Sequence, residues 1–233
     1  MKTQSIRFRG GVARVAAWHG RPEIASVALQ CRGAPSLAAV ELLVDELRAA
    51  GYQEVITNAL APGPSLPLVD SGFEILGRLH LLSHDFASLD APAAGPARRT
   101  RRATAADRPV LLAVDAAAFE EFWRLDELGL EQAARATPRS HTRVNRGDRV
   151  EGYGLFGRAE RTGYVQRLAI HPDAQGAGLG LAILTDGLRW MRARGARNAF
   201  VNTQADNGRA LELYERAGFR RLPVGLCVLG RKL

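Results

Sequence analysis

Hydrophobic residues along this chain alternate between helical spacing and short apolar runs bounded by glycine and proline. That pattern predicts a mixed helix-and-strand protein. Over residues 106–122, Val110, Val114, Ala117 and Ala118 form an apolar stripe, which predicts a helix. A second, shorter helix is predicted over 126–136, stopping before Pro138. Residues 139–145 and 150–158 read as antiparallel strands turning at Arg146-Gly147-Asp148. A third strand, 163–170, ends at Pro172, which offers no N–H to a ladder. Leu181, Leu184, Leu188 and Met191 then follow in steps of three and four, an amphipathic helix closed by Gly195. A strand over 199–203, a helix over 208–217 capped by Gly218, and a last strand or pair of strands over 220–229 complete the reading.

The first part of the chain repeats the end of the second. A helix over 37–50 ends at Gly51, a strand follows over 53–59, then a helix over 64–71 and, after Gly72-Phe73, a strand over 75–82. Gly51 and Gly72 lie 21 residues apart, Gly195 and Gly218 lie 23 apart, and Phe follows the second glycine in both copies. A duplicated unit accounts for this most economically. Between the copies, Asp90-Ala91-Pro92-Ala93-Ala94-Gly95-Pro96-Ala97 has no periodicity and reads as a linker. The expected division is therefore a domain over 1–90, a linker over 91–97 and a domain over 98–233. The latter opens with the basic stretch Arg98-Arg99-Thr100-Arg101-Arg102, taken as an entering strand.

Composition narrows the class. The chain has 233 residues, 46% hydrophobic and 24% charged, ordinary for a folded protein and far from a disordered one. No window approaches the roughly 18 apolar residues of a membrane span, and Met1–Arg7 has no apolar leader core. Cys31 and Cys227 are too few for a disulfide framework or a cysteine zinc site. A cytoplasmic location is expected. Residues 1–95 carry 8 basic and 9 acidic side chains, while the remainder carries 24 and 15. A basic second part suits a phosphate-bearing ligand, or equally a solvated arginine-rich surface.

One stretch carries chemistry: Leu168-Ala169-Ile170-His171-Pro172-Asp173-Ala174-Gln175-Gly176-Ala177-Gly178-Leu179-Gly180. A strand ends, a turn follows, and a glycine-spaced segment opens a helix. The first N–H groups of a helix have no intrahelical acceptor and carry the positive end of its dipole. Glycines remove the Cβ atoms that would hold a diphosphate away. The spacing fits neither the dinucleotide fingerprint nor a nucleoside-triphosphate loop.

Residues 98–233 resemble the GNAT superfamily of acetyl-CoA-dependent N-acetyltransferases. Gln175-Gly176-Ala177-Gly178-Leu179-Gly180 is similar to the family's Gln/Arg-x-x-Gly-x-Gly/Ala loop, and Leu168-Ala169-Ile170-His171-Pro172 to the strand end before it. The run from Asn207 to Phe219 looks like the family's Asn-x-x-Ala-x-x-Leu-Tyr-x-x-x-Gly-Phe helix. The resemblance implies an α/β (α+β) fold, with a mixed, mostly antiparallel, splayed sheet flanked by helices, preceded by a smaller degenerate GNAT-like repeat. It implies an enzyme that transfers acetyl from acetyl-CoA to a primary amine by direct attack, without a metal. Gly176, Ala177, Gly178, Leu179, Gly180 and Leu181 would bind the pyrophosphate through main-chain donors. The backbone of Leu168, Ala169 and Ile170 would pair with the pantetheine arm, and an N–H near Ile170 would polarise the thioester carbonyl. Gln175 and Asn207 would contact the cofactor, and Tyr214 would protonate the departing thiolate.

Each of these residues has a plainer alternative: Asn207 as an N-cap, Tyr214 as core packing, Gln175 as a turn cap. The family's carboxylate positions read Tyr164-Val165-Gln166-Arg167 and Asn202-Thr203-Gln204 here, so no general base is legible. Glu120, Glu121, Glu151, His171 or ordered water remain candidates. His80 and His84 share a strand face, but four strand residues span roughly 13 Å, too far for one metal ion. The first domain has Gln30-Cys31-Arg32-Gly33-Ala34-Pro35-Ser36 where a cofactor loop would stand and no Tyr on its second helix, so no CoA site is expected there. The alternative function is a catalytically silent CoA-binding sensor or scaffold. Nucleic acid is not expected as a partner, the acceptor is an unspecified amine, and a homodimer is compatible with this reading.

Overall fold

The computed structural model describes residues 4–8, 11–31, 33–90 and 100–233. The linker expected at 91–97, with Arg98 and Arg99, lies outside the described residues. The chain separates into two compact units. One gathers the chain up to Leu81 with Thr203–Asp206 and Leu222–Leu233; the other holds Leu82–Asn202 and Asn207–Arg221. In this threading the C-terminal strand finds its partners among the N-terminal ones.

In the first unit the strands β1 (Gln4–Phe8), β2 (Gly11–Trp18) and β3 (Arg21–Cys31) form an antiparallel meander. Its β2–β3 turn is made by His19 and Gly20, both at positive φ, the conformation a tight hairpin requires. The sequence pattern predicts no element in this region. Helix α1 (Leu37–Ala49) crosses over to β4 (Glu54–Thr57), which lies parallel to β3. Helix α2 (Pro62–Asp70) leads to β5 (Glu74–His84), and β12 (Leu226–Lys232) pairs antiparallel with both β4 and β5. Val40, Leu43, Val44 and Leu47 of α1 close this core over Ala13, Val15, Ala25 and Val27.

The second unit runs β6 (Thr100–Arg102), α3 (Arg108–Ala118), α4 (Glu127–Arg135), β7 (Arg139–Asn145), β8 (Gly152–Ala159), β9 (Thr162–Ile170), α5 (Leu179–Ala193), β10 (Asn198–Gln204), α6 (Gly208–Arg216) and β11 (Arg220–Arg221). Neighbouring strands from β6 to β9 are antiparallel, and β10 joins β9 in parallel. Tyr153, Leu155 and Ala169 pack with Leu111 and Val114 of α3 on one face. Phe156 and Val165 pack with Ile183, Leu184 and Leu188 of α5 on the other. Helix α3 is shorter than the expected 106–122. It stops at Phe119, which turns extended, and Glu121–Trp123 forms a separate short turn.

The repeat seen in the sequence returns in the hydrogen bonds. Four helices end in the same way, on a glycine at positive φ: Gly51, Gly72, Gly195 and Gly218. Beyond each glycine, one N–H reaches back to the helix: Tyr52 to Leu47, Phe73 to Leu68, Ala196 to Met191 and Phe219 to Tyr214. This is the Schellman closure, which only a left-handed residue permits without strain. Leu68 thus occupies in the first unit the place that Tyr214 holds in the second.

Candidate functional site

The site is organised by an irregularity in β9. Leu155 pairs with Arg167 but Phe156 pairs with Val165, so Gln166 is an extra residue on the β9 side. Such a bulge bends its strand and resets the alternation of side chains. Val165 therefore faces α5, whereas Arg167 and Ala169 face α3. Pairing between β9 and β10 covers only Thr162–Tyr164 with Asn198–Phe200. Beyond it the two strands share no ladder among the described residues, while β8 holds the other edge of β9 through Ile170. The main chain of Leu168, Ala169 and Ile170 thus has an open edge. Ala169 is fully buried, and Leu168 and Ile170 pack on the α5 core.

After a short turn at Pro172–Ala174, Gly176 and Gly178 both adopt positive φ, 77° and 78°. A Cβ placed on either would meet nothing within 4 Å. The space beside them is open, and the glycines serve backbone conformation rather than internal packing. Gly180 differs: a Cβ there would press on Leu213 at 3.2 Å, so this glycine lets α6 approach α5. The first helical bond of α5 runs from Ala182 N–H to the Gly178 carbonyl. This leaves the N–H groups of Leu179, Gly180 and Leu181 without helical acceptors. Leu179 anchors the turn by burying its side chain in the core. Three outward donors beside two open glycines fit a diphosphate.

Gln175 and Asn207 both have protein partners. Gln175 Nε2 donates to the Ile170 carbonyl at 3.1 Å, and its Oε1 accepts from Arg209 Nη1 at 2.9 Å. Asn207 Oδ1 accepts from Ala210 N–H at 3.0 Å, an N-cap for α6. Among the described residues its carboxamide NH₂ has no protein acceptor. Tyr214 is buried, edge-on to Phe219 with ring centroids 5.6 Å apart. Burial raises its pKa above the ordinary phenol value, and the Arg167 charge acts against that rise. The phenol therefore keeps its proton at neutral pH.

The carboxylates considered as bases do not stand out. Glu120, Glu121 and Glu151 are exposed, and His171 is partly exposed, its Nδ1 3.6 Å from Asp173. The second unit instead contains a buried ionic cluster that sequence reasoning missed. Asp115 has no exposed surface and accepts four hydrogen bonds. Two come from Arg167, Nε at 2.7 Å and Nη2 at 2.6 Å; the others come from Tyr153 Oη at 2.6 Å and Leu125 N–H at 2.7 Å. Every lone pair is engaged, so Asp115 is a structural acceptor and not a free base. The available signal was one acidic residue on the apolar stripe of a helix, beside Val114. Among the described residues no group of three potential metal ligands occurs, and no helix is long and apolar enough to cross a membrane.

Residues 109–219 match the model of the acetyltransferase (GNAT) family. The chain is 43% identical over 68 residues to a mycothiol acetyltransferase of Amycolatopsis mediterranei, covering 29% of this chain and 22% of that protein. It is 48% identical over 60 residues to the Streptomyces coelicolor mycothiol acetyltransferase, covering 26% and 19%. These matches span about a fifth of the relatives' length. Among solved structures, a GCN5-related N-acetyltransferase from Kribbella flavida superposes with a TM-score of 0.67 at 18% identity, over 98% of this chain and 89% of that one. A tandem GNAT protein from the clavulanic acid biosynthesis pathway gives 0.68 at 13% identity, over 96% and 79%. The mixed, mostly antiparallel sheet flanked by helices is the fold of these structures. Residues 109–219 belong to the GNAT acetyltransferase family.

Proposed function

We propose that this chain transfers acetyl from acetyl-CoA to a primary amine by direct attack. The observation that carries the reading is the open, glycine-lined helix start at Gly176–Leu181, placed at the end of a bulged strand whose free edge runs through Leu168–Ile170. In this reading the N–H groups of the cradle hold the pyrophosphate, Gln175 holds the turn, and the Asn207 carboxamide donates to the cofactor. The open edge of β9 takes the pantetheine arm as an added strand. A β9 N–H near Ile170 polarises the thioester carbonyl. The amine lone pair forms the C–N bond as the C–S bond breaks. The thiolate takes the Tyr214 proton, and the proton lost from the amine leaves through water. A free thiol near 8.5 and a free phenol near 10 are close enough for that transfer; burial makes Tyr214 a weaker acid and Arg167 recovers part of the difference.

The names of the curated relatives support acetyl transfer by similar chains. In the same reading the first unit is a degenerate GNAT-like repeat. Its α1 starts on a Ser36 N-cap instead of a left-handed glycine, and Leu68 stands where an acid would be. It binds no CoA and serves the architecture. The protein works in the cytoplasm.

The test is calorimetry with acetyl-CoA, together with thiol release over a panel of amines, peptides and aminoglycosides. One acetyl-CoA per chain and amine-dependent release are expected. Absence of binding overturns the reading. Binding without release on any amine favours a silent CoA-binding module.

A further inference from the structure

Arg167 stands on the β9 segment where the family resemblance leads one to expect a carboxylate, and its surroundings show what it is built to do. The bulge at Gln166 turns it toward α3, where Asp115 grips its Nε and Nη2. Nη2 also donates to the Trp123 carbonyl at 2.7 Å, and the guanidinium carbon lies 3.5 Å from the centre of the Phe119 ring. Asp115 accepts the Leu125 N–H as well. The ion pair therefore pins the segment between α3 and α4 from below, and the guanidinium cannot rotate. Its Nη1 is different. Among the described residues it has no protein partner, although the side chain is still 13% exposed. The same cation acts electrostatically on the Tyr214 phenol.

We propose that the two Nη1 N–H groups of Arg167 are the acceptor-recognition donors of this site, and that the acceptor is an amine that also carries a carboxylate. This rests on the acetyltransferase reading above. A guanidinium held on three sides offers its remaining donors at no further conformational cost. Two N–H groups suit a single carboxylate, whose charge they meet in a charge-assisted bond. A dianionic phosphate would bring a second negative charge toward the buried Asp115, which already neutralises Arg167. Glu120 and Glu121 lie exposed on the pinned segment, and they supply the opposite sign for an ammonium group. The charge pattern is that of a zwitterion's complement.

The experiment compares kcat/KM for α-, β- and γ-amino acids with that for their carboxamides, in the native protein and in two variants. Arg167→Lys keeps a cation but loses the fork. Asp115→Asn combined with Arg167→Gln removes the donors without leaving a buried charge unpaired. Only protein that still binds acetyl-CoA in calorimetry is scored. In the native protein the acids are expected to be preferred by about ten- to a hundredfold, the range of a charge-assisted contact. That ratio should fall toward one in both variants. Equal use of acids and carboxamides by the native protein overturns the proposal, as does a preference that survives in either variant. Acetyl-CoA binding with no turnover of any amine, or no binding at all, instead strikes the acetyltransferase reading.

Discussion

Gln175 Oε1 accepts a hydrogen bond from Arg209 Nη1, so the turn before α5 is tied to the first turn of α6. The other end of the same carboxamide holds the Ile170 carbonyl. One exposed side chain thus links β9, the glycine turn and α6. Gln175→Ala should change thermal stability little, by under about 1 kcal/mol, because an exposed polar link is worth little to folding. It should weaken acetyl-CoA binding by about three- to tenfold through a loosened turn. Calorimetry and a melting curve on the same variant check both halves.

Gly178 separates conformation from occupancy. Gly178→Ala adds only a methyl group in open space, and the cost is the left-handed backbone, about 1–2 kcal/mol. Gly178→Glu carries the same strain and adds a carboxylate where a diphosphate is to lie. Acetyl-CoA affinity is expected to fall modestly in the first variant and to vanish in the second. Equal affinities in two folded variants would remove the loop from the cofactor site.

Tyr214→Phe tests the acid. The phenol oxygen has no protein hydrogen-bond partner among the described residues, so its removal orphans no partner and should leave stability nearly unchanged. Turnover should fall by on the order of 10²–10⁴-fold while acetyl-CoA binding holds. Single-turnover rates are the measurement of choice, since product release could hide a slower chemical step. Unchanged rates would return Tyr214 to the core.

His141 gives the protein an acid-side weakness. The ring stacks on Trp190, 5.0 Å between centroids. Burial, with the charges of Arg143 and Arg102, pulls its pKa down to about 4. Below about pH 6.5 the unfolded chain takes up a proton that the folded chain refuses. Stability should therefore be full above that pH and decline as pH falls toward 4. The loss attributable to His141 is about 1–2 kcal/mol once solvent screening is allowed for. His84 shifts in the same direction, mainly through burial. His141→Phe keeps the stack, and urea melts from pH 7 to 4.5 should show a flatter decline than in the native protein.

Local signals are legible in the sequence and distant ones are not. The glycine turn, the Asn207 and Gly218 ends of α6 and the helix over 179–193 announce themselves within a few residues, because caps and periodicity are short-range. The hairpin at His19-Gly20 was also local, but the small alanines of β2 and β3 blur the alternation of a strand. The Asp115–Arg167 pair joins residues 52 apart in sequence, and nothing near Arg167 says which way its side chain turns. That depends on the bulge at Gln166, which exists only once β8 lies beside it. The place of β12 was equally hidden, since its partners β4 and β5 lie far earlier in the sequence.

That placement sets the order in which the molecule can be assembled. Strand β12 is made last among the described elements, yet it pairs with β4 and β5 on either side. A ribosome emits β1 to β5 long before their missing neighbour, so two strand edges wait unsatisfied through the synthesis of the second unit. The first unit cannot be finished as an independent bead before β12 has been made. Shortening the chain by its final dozen residues would leave every residue of the candidate acetyl-CoA site in place and still strike the opposite end of the sequence.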